Sequence, residues 1–250
     1  MIDTNLQDTG ILDMPHLDIT NFPQVIMFYG PPGSGKGTQA SYLKEKFGFR
    51  FLDWGHEFRH FSHAHIDDKN DPEFWRAKRV HEYMMEGLPI QTEDLQYIIG
   101  QAITDGVLSH KDNFVMDKCG VKIGEAQWLS NLLLQNKIPS VLFHLPLSLE
   151  LAIDRISNRY HVPGDKKPYN SYEDALKHCP EGVLPLKRKD EDRQTTMARY
   201  DSLYRIHHLE ILETYRQTNF TKVIDIDASI SALEVHHKIL EVLNNFKNIE

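Results

Sequence analysis

The stretch Gly30-Pro31-Pro32-Gly33-Ser34-Gly35-Lys36-Gly37-Thr38 restricts this chain more than any other feature. Glycines at this spacing let consecutive backbone N–H groups turn inward around an anion, a helix N-terminus adds a favourable dipole, and a lysine supplies a point charge. The flanks suit that use: apolar Val25-Ile26-Met27-Phe28-Tyr29 precedes the loop, and a helical stretch runs from Gly35 to about Phe47. Strand, glycine-rich loop and helix in this order make a phosphate cradle lined by Gly33, Ser34, Gly35, Lys36, Gly37 and Thr38. Because Gly37 follows the lysine, the loop hydroxyl comes one place later than in the generic pattern, at Thr38.

The text continues in strand–helix alternation, which predicts a parallel sheet covered by helices. Candidate strands are Val25 to Tyr29, Phe51-Leu52, Phe114 to Met116, Ser140 to Leu145 and Lys222 to Ile226. Two stretches interrupt the alternation and read as insertions: residues 53–89, polar, His-rich and helical in composition, and residues 160–187, rich in Pro and Gly and read as irregular loop. The core is then 24–52, 90–159 and 188–250. Residues 1–23 are acidic and lack a sustained period, so they read as a loosely ordered extension.

Charge excludes some classes of partner. Lys and Arg total 28 against 36 Asp and Glu, a formal balance of −8 over 250 residues, so no general attraction to nucleic acid or anionic membrane is expected. No apolar run approaches the roughly 18–20 residues of a membrane helix. The first 35 residues hold no Lys or Arg, unlike a secretory or transit leader, and the two cysteines form no framework. The expectation is a cytoplasmic monomer binding neither nucleic acid nor membrane.

The segment GPPGSGKGTQA resembles the loop of the adenylate kinase, or nucleoside monophosphate kinase, family. The resemblance extends from Gln24 to about Leu243. Asp154-Arg155-Ile156-Ser157-Asn158-Arg159 is similar to the family's Asp-Arg-x-x-x-Arg segment, Arg188 with Asp190-Glu191 to its Arg-x-Asp-Asp signature, and Ile224-Asp225 to its closing Ile-Asp strand. It implies an α/β P-loop NTPase fold, a five-stranded parallel sheet in the order 2-3-1-4-5, with an NMP-binding insertion (53–89) and a LID insertion (160–187). It also implies Mg²⁺-dependent transfer from ATP to a nucleoside monophosphate. Lys36 would hold the β- and γ-phosphates, Arg155 would stack on the donor base, and Arg159, Arg188 and Arg199 would clamp the transferring group. Arg155 and Arg159, four apart, and Arg188 and Arg199, eleven apart, are each spaced to share a helix face. Asp117, ending the strand Phe114-Val115-Met116, matches the family's aspartate that organises Mg²⁺ through water, and a strand-end carboxylate beside such a loop suits that task on its own.

The acceptor half departs from the family pattern. Where the family has Asp-Gly-Phe-Pro-Arg, this chain has Asp117-Lys118-Cys119-Gly120-Val121-Lys122, and no arginine occurs between Arg79 and Arg155. Lys118 or Lys122 lacks the bidentate fork of arginine. The glutamine that reads the acceptor base falls on Glu125, which only accepts hydrogen bonds and suits an edge rich in donors. Arg59 matches an acceptor-phosphate arginine, Ile90 a valine of the hinge resembled by Gly87 to Glu93, and Trp54 replaces a small residue, either stacking on the acceptor base or narrowing the pocket. These departures point to an acceptor other than AMP, another small phosphate or hydroxyl acceptor, or a nucleotide-binding protein whose catalysis has decayed. His56-Glu57-Phe58-Arg59-His60 reads HExxH, but no third ligand follows at protease spacing, so a solvated helix face is expected. With Cys179 alone in the lid, no structural zinc is expected.

Overall fold

The computed structural model describes residues 22–86, 88, 90–110, 112–164, 168–187 and 192–246. Its first unit is β1 (Val25–Tyr29), α1 (Lys36–Phe47) and β2 (Arg50–Phe51), followed by the helices α2 (Trp54–His65), α3 (Phe74–Met85) and α4 (Thr92–Thr104). A π-helical turn, Asp105–His110, extends α4 towards β3 (Phe114–Met116), and α5 (Ile123–Gln135), β4 (Ser140–His144) and α6 (Leu149–Ser157) come next. Then follow β5 (Tyr160–His161), β6 (Pro168–Tyr169), α7 (Tyr172–Lys177), α8 (Arg193–Tyr200), a second π-helical turn (Asp201–Arg205), α9 (His208–Arg216), β7 (Thr221–Asp225) and α10 (Ala232–Asn244).

The main sheet is parallel, in the order β2-β3-β1-β4-β7, which is 2-3-1-4-5 when its own strands are counted. All five residues of β1 and of β4 are buried, as central strands covered on both faces require. Val25, Met27, Phe114, Met116 and Leu142 face α4, α5 and α9, whereas Ile26, Phe28, Val115, Val141 and Phe143 face α1 and α10. Local chemistry fixes the helix ends. Gly48, at φ 72°, closes α1 with its N–H on the Lys44 carbonyl, Ser148 caps α6, and Ser231 and Glu234 form a reciprocal capping box on α10. Among the described residues no helix is long and apolar enough to cross a membrane.

Three expectations change. Residues 160–187 are more ordered than an irregular loop: β5 and β6 pair antiparallel, His161 bridges to Leu186, and α7 follows the Ser171 cap. Val162, Tyr169 and Ala175 give this segment a small apolar cluster of its own, so its prolines punctuate structure rather than prevent it. The amino-terminal boundary also moves, because Phe22 is buried against Phe47 and Phe49 at ring separations of 5.6 and 6.3 Å. Finally, Arg155 and Arg159 do not share a helix. α6 ends at Ser157 with Asn158 as its cap, leaving Arg159 beyond it. Arg188 lies outside the described residues, as do Asp190, Glu191, Gly87 and Pro89.

Candidate functional site

The glycine-rich loop leaves the carboxyl end of β1, where parallel α/β sheets place ligands. Two of its glycines are constrained, Gly30 by space and Gly33 by its backbone angle with a close neighbour beside it. A Cβ on Gly30 would meet the Leu145 carbonyl oxygen at 2.5 Å and Ser34 Oγ at 2.8 Å; one on Gly33, at φ 79°, would lie 3.1 Å from the Ala152 carbonyl oxygen of α6. The loop is thereby wedged between β4 and α6. Lys36 Nζ donates to the carbonyls of Gly30 (2.9 Å) and Pro31 (2.8 Å), folding its charge back across the loop. Burial lowers its pKa to about 8, against the opposing pull of Asp117.

Asp117 follows β3 directly, and burial raises its carboxyl above the ordinary range although Lys118 and Lys36 favour its charge. Arg159 and Lys118 both act electrostatically on Lys36, so the fold gathers Lys36, Asp117, Arg159 and Lys118 at the ends of β1 and β3. Arg155, on α6, lies on the other side of the loop. Its Nη1 donates to the Gly33 carbonyl at 3.4 Å, and its Nη2 to those of Ser229 (3.3 Å) and Ile230 (3.2 Å), beyond β7. Arg199 is exposed on α8.

The acceptor side is built differently from its expectation. Trp54 is 5% exposed and packs in the apolar cluster with Leu52 and Phe58, its Nε1 without a partner, so no open face of the indole is offered for stacking. Glu125 is turned inward as well: its Oε2 accepts from the Val121 N–H at 2.9 Å, steadying the tight turn after Asp117. A Cβ on Gly120, in that turn, would stand 2.7 Å from Ala126 N, which is why glycine occurs there. Arg59 is exposed on α2, 3.9 Å from Asp53, whose carboxylate caps the helix through the N–H groups of Gly55 and His56. Ile90 is partly buried against the main cluster. His56 and His60 are exposed with ring centres 6.3 Å apart, and among the described residues no group of three or more His, Cys, Asp or Glu is placed to hold a metal.

Residues that the sequence pattern did not single out complete the surroundings. Asp94 of α4 is 1% exposed; Arg79 donates to it through Nε (2.7 Å) and Nη2 (2.6 Å), and Arg76 through Nε (3.3 Å). Arg76 also bonds Glu73 and lies 3.7 Å from the Tyr97 ring centre, so α3 is clamped to α4 by charge. At the ends of β4 and β7, His144 joins Asp225 (2.6 Å) and Tyr204 (2.9 Å), and burial lowers its pKa. An acidic residue early in a helix reads as a dipole or cap residue, and nothing in the local text tells that Asp94 is instead buried under two arginines.

Parallel sheet, helix-opening glycine loop, buried lysine and strand-end aspartate together define a P-loop nucleotide-binding domain. A family model described as AAA domain matches residues 29–165, more than half of the chain, and the chain belongs to that family. The chain is also similar to adenylate kinases over most of its length. It is 26% identical to the adenylate kinase of Hydrogenobaculum sp. (strain Y04AAS1) over 223 residues, covering 88% of this chain and 100% of the relative. Similar matches are the adenylate kinases of Mycoplasmoides gallisepticum (25% over 229 residues, 88% and 98% covered) and Thermotoga neapolitana (26% over 229 residues, 87% and 96% covered).

Proposed function

We propose that this protein is a nucleoside monophosphate kinase of the adenylate kinase type, moving the γ-phosphoryl group of ATP to a nucleoside monophosphate. The observation that carries the reading is the buried Lys36 of the glycine loop, which feels the charges of Asp117, Arg159 and Lys118 together, with Lys118 and Lys36 acting in turn on the buried Asp117. Phosphoryl transfer needs this kind of site: several cations, fixed in advance, and no covalent chemistry from the protein. The resemblance to adenylate kinases over nearly their whole length supports it.

In the reaction an oxygen of the acceptor phosphate bonds to the γ-phosphorus while the bond from that phosphorus to the β–γ bridging oxygen breaks, the electron pair leaving with ADP. The loop N–H groups and Lys36 hold the β- and γ-phosphates. By the resemblance to the family, Arg159, Arg188 and Arg199 are the arginines that would clamp the charge spread over the transferring group. Arg155, suspended from three carbonyls, presents its guanidinium plane to the donor base. The residues fit Mg²⁺: Asp117 is a hard oxygen donor whose burial disfavours its bare charge, and a cation reached through coordinated water relieves that cost. When bound, Mg²⁺ neutralises charge on the β- and γ-phosphates. Closure of the lid segment excludes water, which would otherwise take the phosphoryl group.

On the acceptor side we assign the monophosphate to Arg59, which is exposed and 3.9 Å from Asp53, rather than to Arg76 and Arg79, which are held more closely by Asp94 and Glu73. This weakened grip, with Glu125 bound to its own loop, favours a second reading in which the acceptor is another small phosphate or a hydroxyl compound. Diphosphate formation from Mg·ATP with AMP, GMP, CMP, UMP and their deoxy forms, run beside a control without acceptor, separates the two. Turnover with a monophosphate upholds the kinase reading and names the acceptor; saturable ATP binding with no turnover on any of them transfers the reading to the second acceptor class. No ATP binding overturns both.

A further inference from the structure

Gln39 and His236 lie on facing helices, α1 and α10, and are 1% and 0% exposed. Gln39 Nε2 donates to the Ala232 carbonyl at 2.8 Å, in the first turn of α10, so its Oε1 is left to accept, and His236 Nδ1 lies 3.0 Å from it. An amide oxygen cannot donate, which fixes the tautomer: Nδ1 carries the proton, and Nε2 remains a bare acceptor. That Nε2 is buried without a partner. Burial holds the pKa of the ring down at about 4, so the imidazole is neutral at ordinary pH. On the same two helices Leu43, Val235, Ile239 and Leu240 belong to the apolar cluster, the Tyr42 ring stands edge-on 5.1 Å from the imidazole, and the charges that act on it are Lys46 and His237, both against its protonation. Apolar residues would satisfy this packing at lower cost than a polar pair with one orphaned nitrogen. What the polar pair adds is direction, since it fixes where the first turn of α10 sits relative to the helix that leaves the phosphate loop.

That first turn continues directly from the loop that holds Arg155. Ser229 and Ile230, whose carbonyls accept from Nη2 of Arg155, immediately precede Ser231, the cap of α10, and Ala232, the residue held by Gln39. The third carbonyl on Arg155 is that of Gly33, in the phosphate loop itself. A closed circuit results, from phosphate loop to Arg155, to the β7–α10 loop, to Gln39 and back to the phosphate loop, with His236 locking the orientation of the Gln39 amide.

We propose that Gln39 and His236 are positioning residues for the base of the donor nucleotide: through Ala232 they set the Ser229 and Ile230 carbonyls, and so the guanidinium plane of Arg155. This rests on the donor reading given above. Its signature is a loss confined to ligands that possess a base, because the phosphate loop keeps its own geometry from Gly30, Gly33 and Leu145.

The test is calorimetric titration of the full chain with Mg·ATP and with Mg·tripolyphosphate, which has the phosphates and no base, in the wild type and in His236→Leu, Gln39→Met and His236→Asn. His236→Leu and Gln39→Met are expected to weaken ATP by about tenfold, the loss of one buried hydrogen bond, and tripolyphosphate by less than about twofold. His236→Asn, whose Nδ2 offers a proton from nearly the place of Nδ1, recovers most of the ATP affinity. Equal weakening of both ligands, or undiminished ATP affinity in both apolar variants, overturns the proposal. A wild type that binds ATP no better than tripolyphosphate overturns it while leaving phosphate binding by the loop intact; a wild type that binds neither overturns the donor reading, and this one with it.

Discussion

Replacing Asp94 with asparagine puts the charge clamp between α3 and α4 to a quantitative test. The carboxylate is 1% exposed and receives three hydrogen bonds, two from Arg79 and one from Arg76. Removing one partner of a fully buried ion pair costs about 3–5 kcal/mol, but the arginine side chains retain 29% and 40% of their exposure and reach water when the charge is lost. Asparagine also keeps one acceptor oxygen. The cost is therefore set below that range, at about 2–3 kcal/mol, the scale of one or two charge-assisted hydrogen bonds. In a chain of this size that corresponds to a fall of roughly 5–10 °C in unfolding temperature. Urea unfolding of wild type and variant at pH 7, followed by tryptophan fluorescence, measures it, and pairing the change with Arg79→Met gives the coupling between the two residues. A loss under about 0.5 kcal/mol, or additive single effects, would refute the clamp, since residues bonded to each other couple.

Three further outcomes follow from distances and pKa values. Lys36→Ala should abolish measurable phosphoryl transfer, and in the wild type ATP affinity should fall as pH rises past about 8, where the buried ammonium loses its proton; affinity flat to pH 10 would count against Lys36 as the phosphate cation. Gly30→Ala forces a methyl group to 2.5 Å from the Leu145 oxygen, so it should cost about 2 kcal/mol or more and weaken ATP and tripolyphosphate alike. A soluble variant with full affinity for both would disprove the close approach. His236, lowered from 6.5 to about 4, binds its proton less readily in the folded state than in the unfolded one, so stability is intact above pH 6.5 and declines by up to about 3 kcal/mol as pH falls to 4. His144, also lowered by burial, adds to the decline with the same sign. His236→Asn should flatten part of that slope, and an unchanged slope would place the titration elsewhere.

The sheet and the phosphate loop were legible because their signals are local. Five apolar residues before Gly30, and the spacing of Gly33, Gly35 and Lys36, encode strand, turn and helix without reference to anything distant, and the strand order followed from the family the loop resembles. Side-chain partners were less legible where they came from far along the chain. Glu125 carries the same letter whether it faces a ligand or takes the Val121 N–H, and only the turn forced by Gly120 decides. Arg159 falls at helical spacing from Arg155, yet Asn158 ends the helix first. Trp54 was marked as unusual by its size, but whether an indole fills a core or lines a pocket depends on Leu52 and Phe58 around it. The pairing of Gln39 with His236 spans 197 positions, a separation at which residue spacing carries no information.

The anchoring of Phe22 bears on how the protein can be handled. Its ring lies against Phe47 and Phe49, at the amino end of β1, whereas the phosphate loop leaves the carboxyl end of that strand. Five extended residues separate the two ends by roughly 15 Å. A fluorophore, surface tether or fused partner attached upstream of Phe22 therefore joins the body on the side away from the nucleotide cradle. Immobilisation through that end should leave ligand access open, which makes it the natural attachment point for surface-based binding measurements.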